Sequence, residues 1–549
     1  MRLDHPRRGW PWIRAEEEKT ILPLMSNAPA VAPLPTTAPR TAAVIDIGAT
    51  SIRMAIGEIQ DADHVRTLAT LVRPVALGKD AFTTRRLRRS TIEECVRILK
   101  DYQRVLPSYG VTSRDQVRVV ATSAVREASN RLTFLDRIYI ATGIEVEPID
   151  EAEVNRITYM GVLPSLQRDP QLDEAKAIVL EVGGGSTELL VVRSGNVLLS
   201  DTYRLGSVRL LETLQSLGVP VAKRRSLMES QIQRTVGRIR EQVRSDAHIE
   251  LIALGGDMRF AARILAGPPD SNELQQIPVA SLEQLARACL DRTDDELVRD
   301  YDISYAEAQT LGPALLTYAL TARAFELQSV RVSNTNLRDG LLNDLAARET
   351  WTAEFRNQIV RSAISLGRKF DFDEQHARHV AGLARKLFLQ LTAEHGLDPR
   401  LEVVLYVAAL LHEIGLFVNI RSNHKHAMYL IRNSELFGLS RRDVLLVSLV
   451  ARYHRRSYPQ PTHEGYATLD RDGRVAVSKL AALLRVAIAL NESRSGRIKE
   501  LRCVRQREQL LIEALGVDDV AIEQLAMRQN AGMFEEVFGL PVFLRAGHR

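Results

Sequence analysis

Residues 180–192 read LEVGGGSTELLVV: three glycines and two hydroxyls between apolar runs, with Glu181 and Glu188 flanking the turn. Apolar runs on both sides of a Gly/Ser/Thr tip predict a β-hairpin. The pattern occurs once more, at 43–57. Laid on 178–192, AVIDIGATSIRMAIG pairs Asp46 with Glu181, Gly48 with Gly183, Ser51 with Ser186 and Arg53 with Glu188, at a constant offset of 135 residues. Short-period repeat proteins recur every 20 to 50 residues or so, so two hairpins this far apart predict duplicated α/β domains, with the ligand site in the cleft between them.

Between the copies lie helix patterns at 87–102 and 132–141 and a strand at 116–121 that runs into Thr122-Ser123. A further strand, 249–254, enters Gly255-Gly256-Asp257 before a helix opens at Arg259. Paired glycines at a strand-to-helix turn bring backbone amides close to a ligand. From about 352 to 515 the pattern is almost continuous helix and holds His376, His379, His395, His412, His424, His426, His454 and His463. Its most apolar stretch, 403–418, is interrupted by His412-Glu413 and is too short to span a bilayer, which makes it a core helix. The expected organisation is a disordered segment and Pro-rich linker over 1–40 (Met25 being an alternative start), α/β domains at 41–168 and 169–345, a helical domain at 350–495, and a small appendage at 496–549.

Composition fits a soluble multidomain chain: 549 residues, 45% hydrophobic and 26% charged. The net charge of +5 is spread over separate basic runs at 85–89, 223–225, 441–442 and 455–456, which suits a polyanion but outlines no specific nucleic-acid surface. Cys95, Cys289 and Cys503 form no CxxC, and the N-terminal segment lacks a secretory apolar run. A cytoplasmic protein with no membrane span, disulfide framework or zinc knuckle is expected.

The hairpin tips suggest phosphate chemistry. Glycine amides point into a cleft unobstructed, and the Ser186 and Thr187 hydroxyls add donors. Asp46, Glu181 and Glu188 are placed to hold Mg²⁺, which prefers a few carboxylates plus water and phosphate oxygens.

The motifs DIGATSIR (46–53), ATSAVREASN (121–130), RITYMGV (156–162), EVGGGSTE (181–188), LGSVRL (205–210) and LGGDMR (254–259) occur in an order that resembles the exopolyphosphatase/guanosine pentaphosphate phosphatase (Ppx/GppA) family. The resemblance spans about residues 42–342 and implies two actin-like (RNase H-like) domains around a cleft. It implies Mg²⁺-dependent release of terminal phosphate from polyphosphate or guanosine pentaphosphate. On it, Gly48, Ser51 and Arg53 form one phosphate loop together with Asp46, and Gly183, Gly184, Gly185, Ser186 and Thr187 form the other. Arg126 falls on a third cleft motif, and Glu188 positions metal or water.

This chain departs from the family pattern in places: Glu181 replaces an Asp, and Ala49-Thr50 replaces Ser-Asn. In DEAEVNRITYMGV (150–162) the position of the family's presumed general base is Val154, with Glu153 matching only the preceding glutamate. Glu153 or Glu151 then substitutes as base if the helix start is displaced, or phosphate itself accepts the proton. The C-terminal region resembles the HD-like helical domain of the family's long members. In HD phosphohydrolases histidines and an Asp bind metal, so the resemblance implies a second, metal-binding site at His376, His412, Glu413, His426 and His454, with Asn491 at the place of a distal Asp. It also implies a homodimer through this domain. Lys425, Arg452, Arg455 and Arg456 suit a passing phosphate chain. Two functions stay open: a hydrolase of polyphosphate or guanosine pentaphosphate, and a non-catalytic sensor that binds these anions or (p)ppGpp.

Overall fold

The structure, a computed structural model, describes residues 39–61, 64–243, 248–268, 274–346, 353–455 and 457–547. The segment expected to be disordered, up to residue 38, and Arg456 lie outside them. Both predicted hairpins form. Strands β1 (Arg40–Ile47) and β2 (Ser51–Ile59) pair Asp46 with Arg53; β6 (Lys176–Val182) and β7 (Thr187–Arg193) pair Glu181 with Glu188. The same bond closes each turn: Gly48 N–H donates to Ser51 O at 3.0 Å, and Gly183 N–H to Ser186 O at 2.8 Å. A two-residue periodicity thus fixes which side chains leave each tip on the cleft side.

Around the hairpins the topology repeats. The first sheet has the order β3-β2-β1-β4-β5, with β3 at Val65–Pro74, β4 at Val117–Ala121 and β5 at Glu147–Pro148. The second runs β10-β11-β9-β6-β7-β8, with β8 at Asn196–Tyr203, β9 at Ile249–Leu254, β10 at Gln275–Pro278 and β11 at Ser329–Val332. Reversing the second list and setting aside the edge strand β10 superposes the two orders. β4 and β9 each lie parallel to the first hairpin strand, and β5 and β11 each extend the sheet in parallel. Central β1 and β6 are buried on both faces, as helix-covered parallel sheet requires. Both domains are therefore actin-like.

The last strand of each sheet leads into a helix, Glu151–Arg168 after β5 and Leu337–Ala346 after β11. The second of these, assigned from chain continuity to the 169–345 domain, packs instead on the first sheet, where Leu337, Leu341, Leu342 and Leu345 join Ala42, Val44, Ala55 and Val120 in one apolar cluster. The two helices cross backbone to backbone: a Cβ on Gly340 would lie 2.1 Å from Ile157 O, and one on Gly161 3.2 Å from Gly340 N.

The helical domain builds one large core in which Val403–Leu411 is almost fully buried, as its apolar run predicted. The appendage is a three-stranded sheet of β12 (Glu500–Arg505), β13 (Leu510–Leu515) and β14 (Val542–Gly547) with two helices. Among the described residues no helix is long and apolar enough to cross a membrane.

Candidate active site

The two hairpin tips meet across the cleft. A Cβ on Gly184 would come within 2.9 Å of Ala49 Cβ, and one on Gly185 within 2.3 Å of Ser123 Oγ and 2.5 Å of Phe82 Cζ. Glycine is required here so that the walls can touch, in addition to exposing amides. Arg209 Nε donates to Gly185 O at 2.6 Å, and its guanidinium lies over Phe82. Glu127 of the first domain is clasped by Arg204 and Arg209 of the second, each at 2.5 Å. The cleft is held shut by these contacts.

Inside it lie Asp46, Glu181 and Glu188. Each opens only toward the narrow cleft and is otherwise enclosed by protein, so burial is the leading influence on all three. Burial, then repulsion from Glu181, pushes Glu188 up to about 7, although Ser186 Oγ donates to its Oε1 at 2.5 Å. Burial raises Glu181 against the pull of Arg259, and raises Asp46 against Arg338 and Arg53. Asp257 is lifted to about 6, again by burial.

The opposing charges are arginines. Arg338 Nη1 stands 3.8 Å from Asp46 Oδ2, while Arg338 Nε, Asp46 Oδ1 and Ser51 Oγ, all buried, meet no hydrogen-bond partner among the described residues. Arg53 opposes Asp46 across the hairpin, and the Arg259 guanidinium donates to Thr335 O at 3.3 Å. Arg126 is the counterpart of Arg259: each lies five residues beyond the end of its parallel strand and donates to a carbonyl just past the sheet's last strand, Arg126 to Ile149 O at 2.9 Å. Arg126 acts on Glu188 as Arg259 acts on Glu181. Thr187 Oγ1 is spent on Leu205 O, so of the two tip hydroxyls Ser186 faces the carboxylates.

Unpartnered carboxylate oxygen beside unspent guanidinium N–H is a mixed-charge floor. It fits a hard cation on the carboxylate side and an anion on the arginine side. Asp46, Glu181 and Glu188 therefore suit Mg²⁺. Sequence reasoning missed Arg338; it quoted Asp257 and Arg259 in the third glycine turn without assigning either to the site or seeing the symmetry of Arg259 with Arg126.

Glu153 is not part of this floor. Its carboxylate takes two bonds from Arg156, at 2.7 and 2.8 Å, and one from Arg118 at 3.2 Å, and both arginines also hold Asp344. Burial works to raise Glu153, but Arg156 and Arg118 together hold it below the usual glutamate range. The group lines a crevice of about 730 Å³ against the helical domain. At 100° per residue, Glu153, Arg156 and Met160 share that side of the helix, while Glu151, Asn155 and Thr158 share the opposite one. There Glu151 pairs with Arg126 at 3.3 Å, and Asn155 Nδ2 reaches Thr202 Oγ1 at 3.2 Å, Thr202 being the β8 partner of Glu188. Val154 lies in the apolar cluster between the crossing helices and the first sheet.

This geometry is matched by a sequence-wide comparison: the Ppx/GppA phosphatase family aligns with residues 55–349, and domain III of the same family with 360–519. The chain belongs to the Ppx/GppA phosphatase family. An exopolyphosphatase from Cytophaga hutchinsonii shares the fold over 56% of this chain and 98% of its own, at 20% identity and a TM-score of 0.51. The Aquifex aeolicus member of the Ppx/GppA family matches over 57% and 100%, at 23% identity and a TM-score of 0.47. At 20% identity the likeness to the Cytophaga protein is one of fold.

In the region matched by domain III, His376, His412 and Glu413 offer ligand atoms within 4.8 Å of one another. His454 sits edge-on to His412 at 5.2 Å, whereas His426 stands outside the group. Lys425, Arg452 and Arg455 do converge, all three acting on His424.

Proposed function

We propose that the protein is a Mg²⁺-dependent phosphoanhydride hydrolase that removes the terminal phosphate of polyphosphate or guanosine pentaphosphate in the interdomain cleft. The supporting observation is the cleft floor, where three carboxylates and four arginines from both domains meet with polar atoms still unpartnered. Arg53, Arg259 and Arg338 bind the terminal phosphate, and the unspent hydroxyl of Ser51 adds a donor. Asp46, Glu181 and Glu188 would hold the cation, which when bound offsets phosphate charge and polarises the phosphorus. Phosphoryl transfer rests mainly on positioning and charge stabilisation. The proton of the attacking water passes to Glu151, the carboxylate on the cleft face of its helix, oriented by Arg126. The contact between the glycine tips excludes bulk water.

Val154 favours a second reading, a sensor that binds the same anions without cutting them, because an apolar side chain there accepts no proton. Phosphate release from both substrates by wild type, Glu188→Ala and Glu151→Gln separates the two. Wild type is expected to be active and both variants to lose most of that activity. Wild type that binds polyphosphate but releases no phosphate would establish the sensor.

A further inference from the structure

The histidine–carboxylate cluster of the helical domain has the residue types of a metal centre. Its hydrogen bonds decide whether the lone pairs are available, and they can be assigned without ambiguity. Gly496 N–H, which can only donate, meets Asn491 Oδ1 at 3.2 Å. The amide is thereby oriented, and Asn491 Nδ2 must donate to His376 Nδ1 at 2.9 Å. The His376 proton is consequently on Nε2, the nitrogen that faces Glu413 Oε2 at 3.8 Å and the His412 ring. His412 is the reverse: its Nδ1 lies 2.7 Å from Ala409 O, which only accepts, so the buried Nε2 carries a lone pair and has no hydrogen-bond partner among the described residues. A metal-binding histidine donates its outer N–H to an acceptor. An Asp at 491 would supply one; Asn491 supplies a donor and turns His376 from ligand into donor.

Glu413 is also engaged. Arg494 Nη2 contacts both its oxygens, at 2.7 and 2.9 Å, and Nη1 lies 3.5 Å from Asp373. Arg494 does this from a left-handed backbone, φ 52°, which costs a non-glycine residue about 1 kcal/mol or more. We infer that Arg494 is the resident cation of this cluster and that, with Asn491 reversing the His376 tautomer, it makes His376–His412–Glu413 a closed polar core that takes no metal, two substitutions away from a working transition-metal site. The metal implied by resemblance to HD phosphohydrolases does not fit these residues.

The experiment compares full-length wild type, His412→Ala, N491D/R494G, and the double variant with His412→Ala added, each checked for folding by circular dichroism. Glycine at 494 relieves the backbone strain, which protects the fold of the double variant. After dialysis against Co²⁺ or Zn²⁺, wild type and His412→Ala should hold equal metal, since any ion bound belongs to the interdomain cleft. N491D/R494G should gain one equivalent with the ligand-field absorption of histidine-bound Co²⁺, its affinity at least about 10- to 100-fold above wild type, and His412→Ala should abolish the gain. In ¹⁵N-histidine spectra of wild type, His376 should be protonated on Nε2. A wild-type equivalent lost in His412→Ala, no gain in the double variant, or an Nδ1-protonated His376 each overturns the inference.

Discussion

Glu188→Gln tests the electrostatics of the cleft most directly. Each tenfold in proton affinity is worth about 1.4 kcal/mol, so the rise of Glu188 from the ordinary 4.5 to about 7 amounts to about 3 kcal/mol. Folded protein holds this proton more tightly than unfolded protein. The stabilisation is therefore whole below about 4.5 and is lost as pH climbs toward about 7. Gln keeps the acceptor that Ser186 uses and never ionises, so the variant should melt with wild type at pH 4. At pH 8 in EDTA it should be more stable by about 1–3 kcal/mol, the lower figure allowing for water in the cleft. Thermal unfolding followed from pH 4 to 8 reads this as a difference of several degrees. Excess Mg²⁺ should reverse the order, because it binds ionised carboxylates. Superimposable wild-type and variant profiles in EDTA across that range would refute the assignment of Glu188 as a strained, buried carboxylate.

Glu153→Gln should cost about 3 kcal/mol of stability by undoing a buried ion pair, whereas Glu151→Gln should cut kcat at unchanged melting temperature. Gly185→Ala drives a methyl into Ser123 and Phe82; a wider cleft, seen as increased radius of gyration by small-angle scattering and weaker polyphosphate binding, is expected. Glu127→Gln should loosen the clasp of Arg204 and Arg209 and speed product release in stopped-flow assays; an unchanged release rate would show that the clasp does not gate it. Gly340→Ala, whose methyl would meet Ile157 O, should cost at least about 3 kcal/mol, read by urea unfolding.

Much of this was legible in the primary structure because hairpin geometry is local. Once Gly48 and Gly183 close equivalent turns, register dictates that Asp46 opposes Arg53 and that Glu181 opposes Glu188. Helix phase was harder. Asp150 caps the helix by accepting the Glu153 amide proton, and that single bond decides that Glu151 turns to the cleft and Glu153 away from it. Nothing in a linear motif reports which of two carboxylates two residues apart will face a ligand. Arg338 was beyond reach for a different reason: it comes to Asp46 on a helix that leaves the second sheet and packs on the first, an association set by tertiary apolar contacts. Asn491 was visible as a departure, but its effect depends on Gly496 and on a turn that puts Arg494 against Glu413.

The backbone contact between Gly161 and Gly340 limits how the cleft can open. Each glycine sits against the backbone of the other helix, with the Thr335 and Ile157 methyls alongside, so the crossing is too close for the helices to slide and these glycines are placed to serve as a fulcrum for rocking. Glu151 and Asn155 lie on one side of the helix that bears Gly161, and Glu153 and Arg156 on the other. A rocking motion that parts the glycine tips would therefore press on the crevice beside the helical domain, which couples the two openings as opposite ends of one lever.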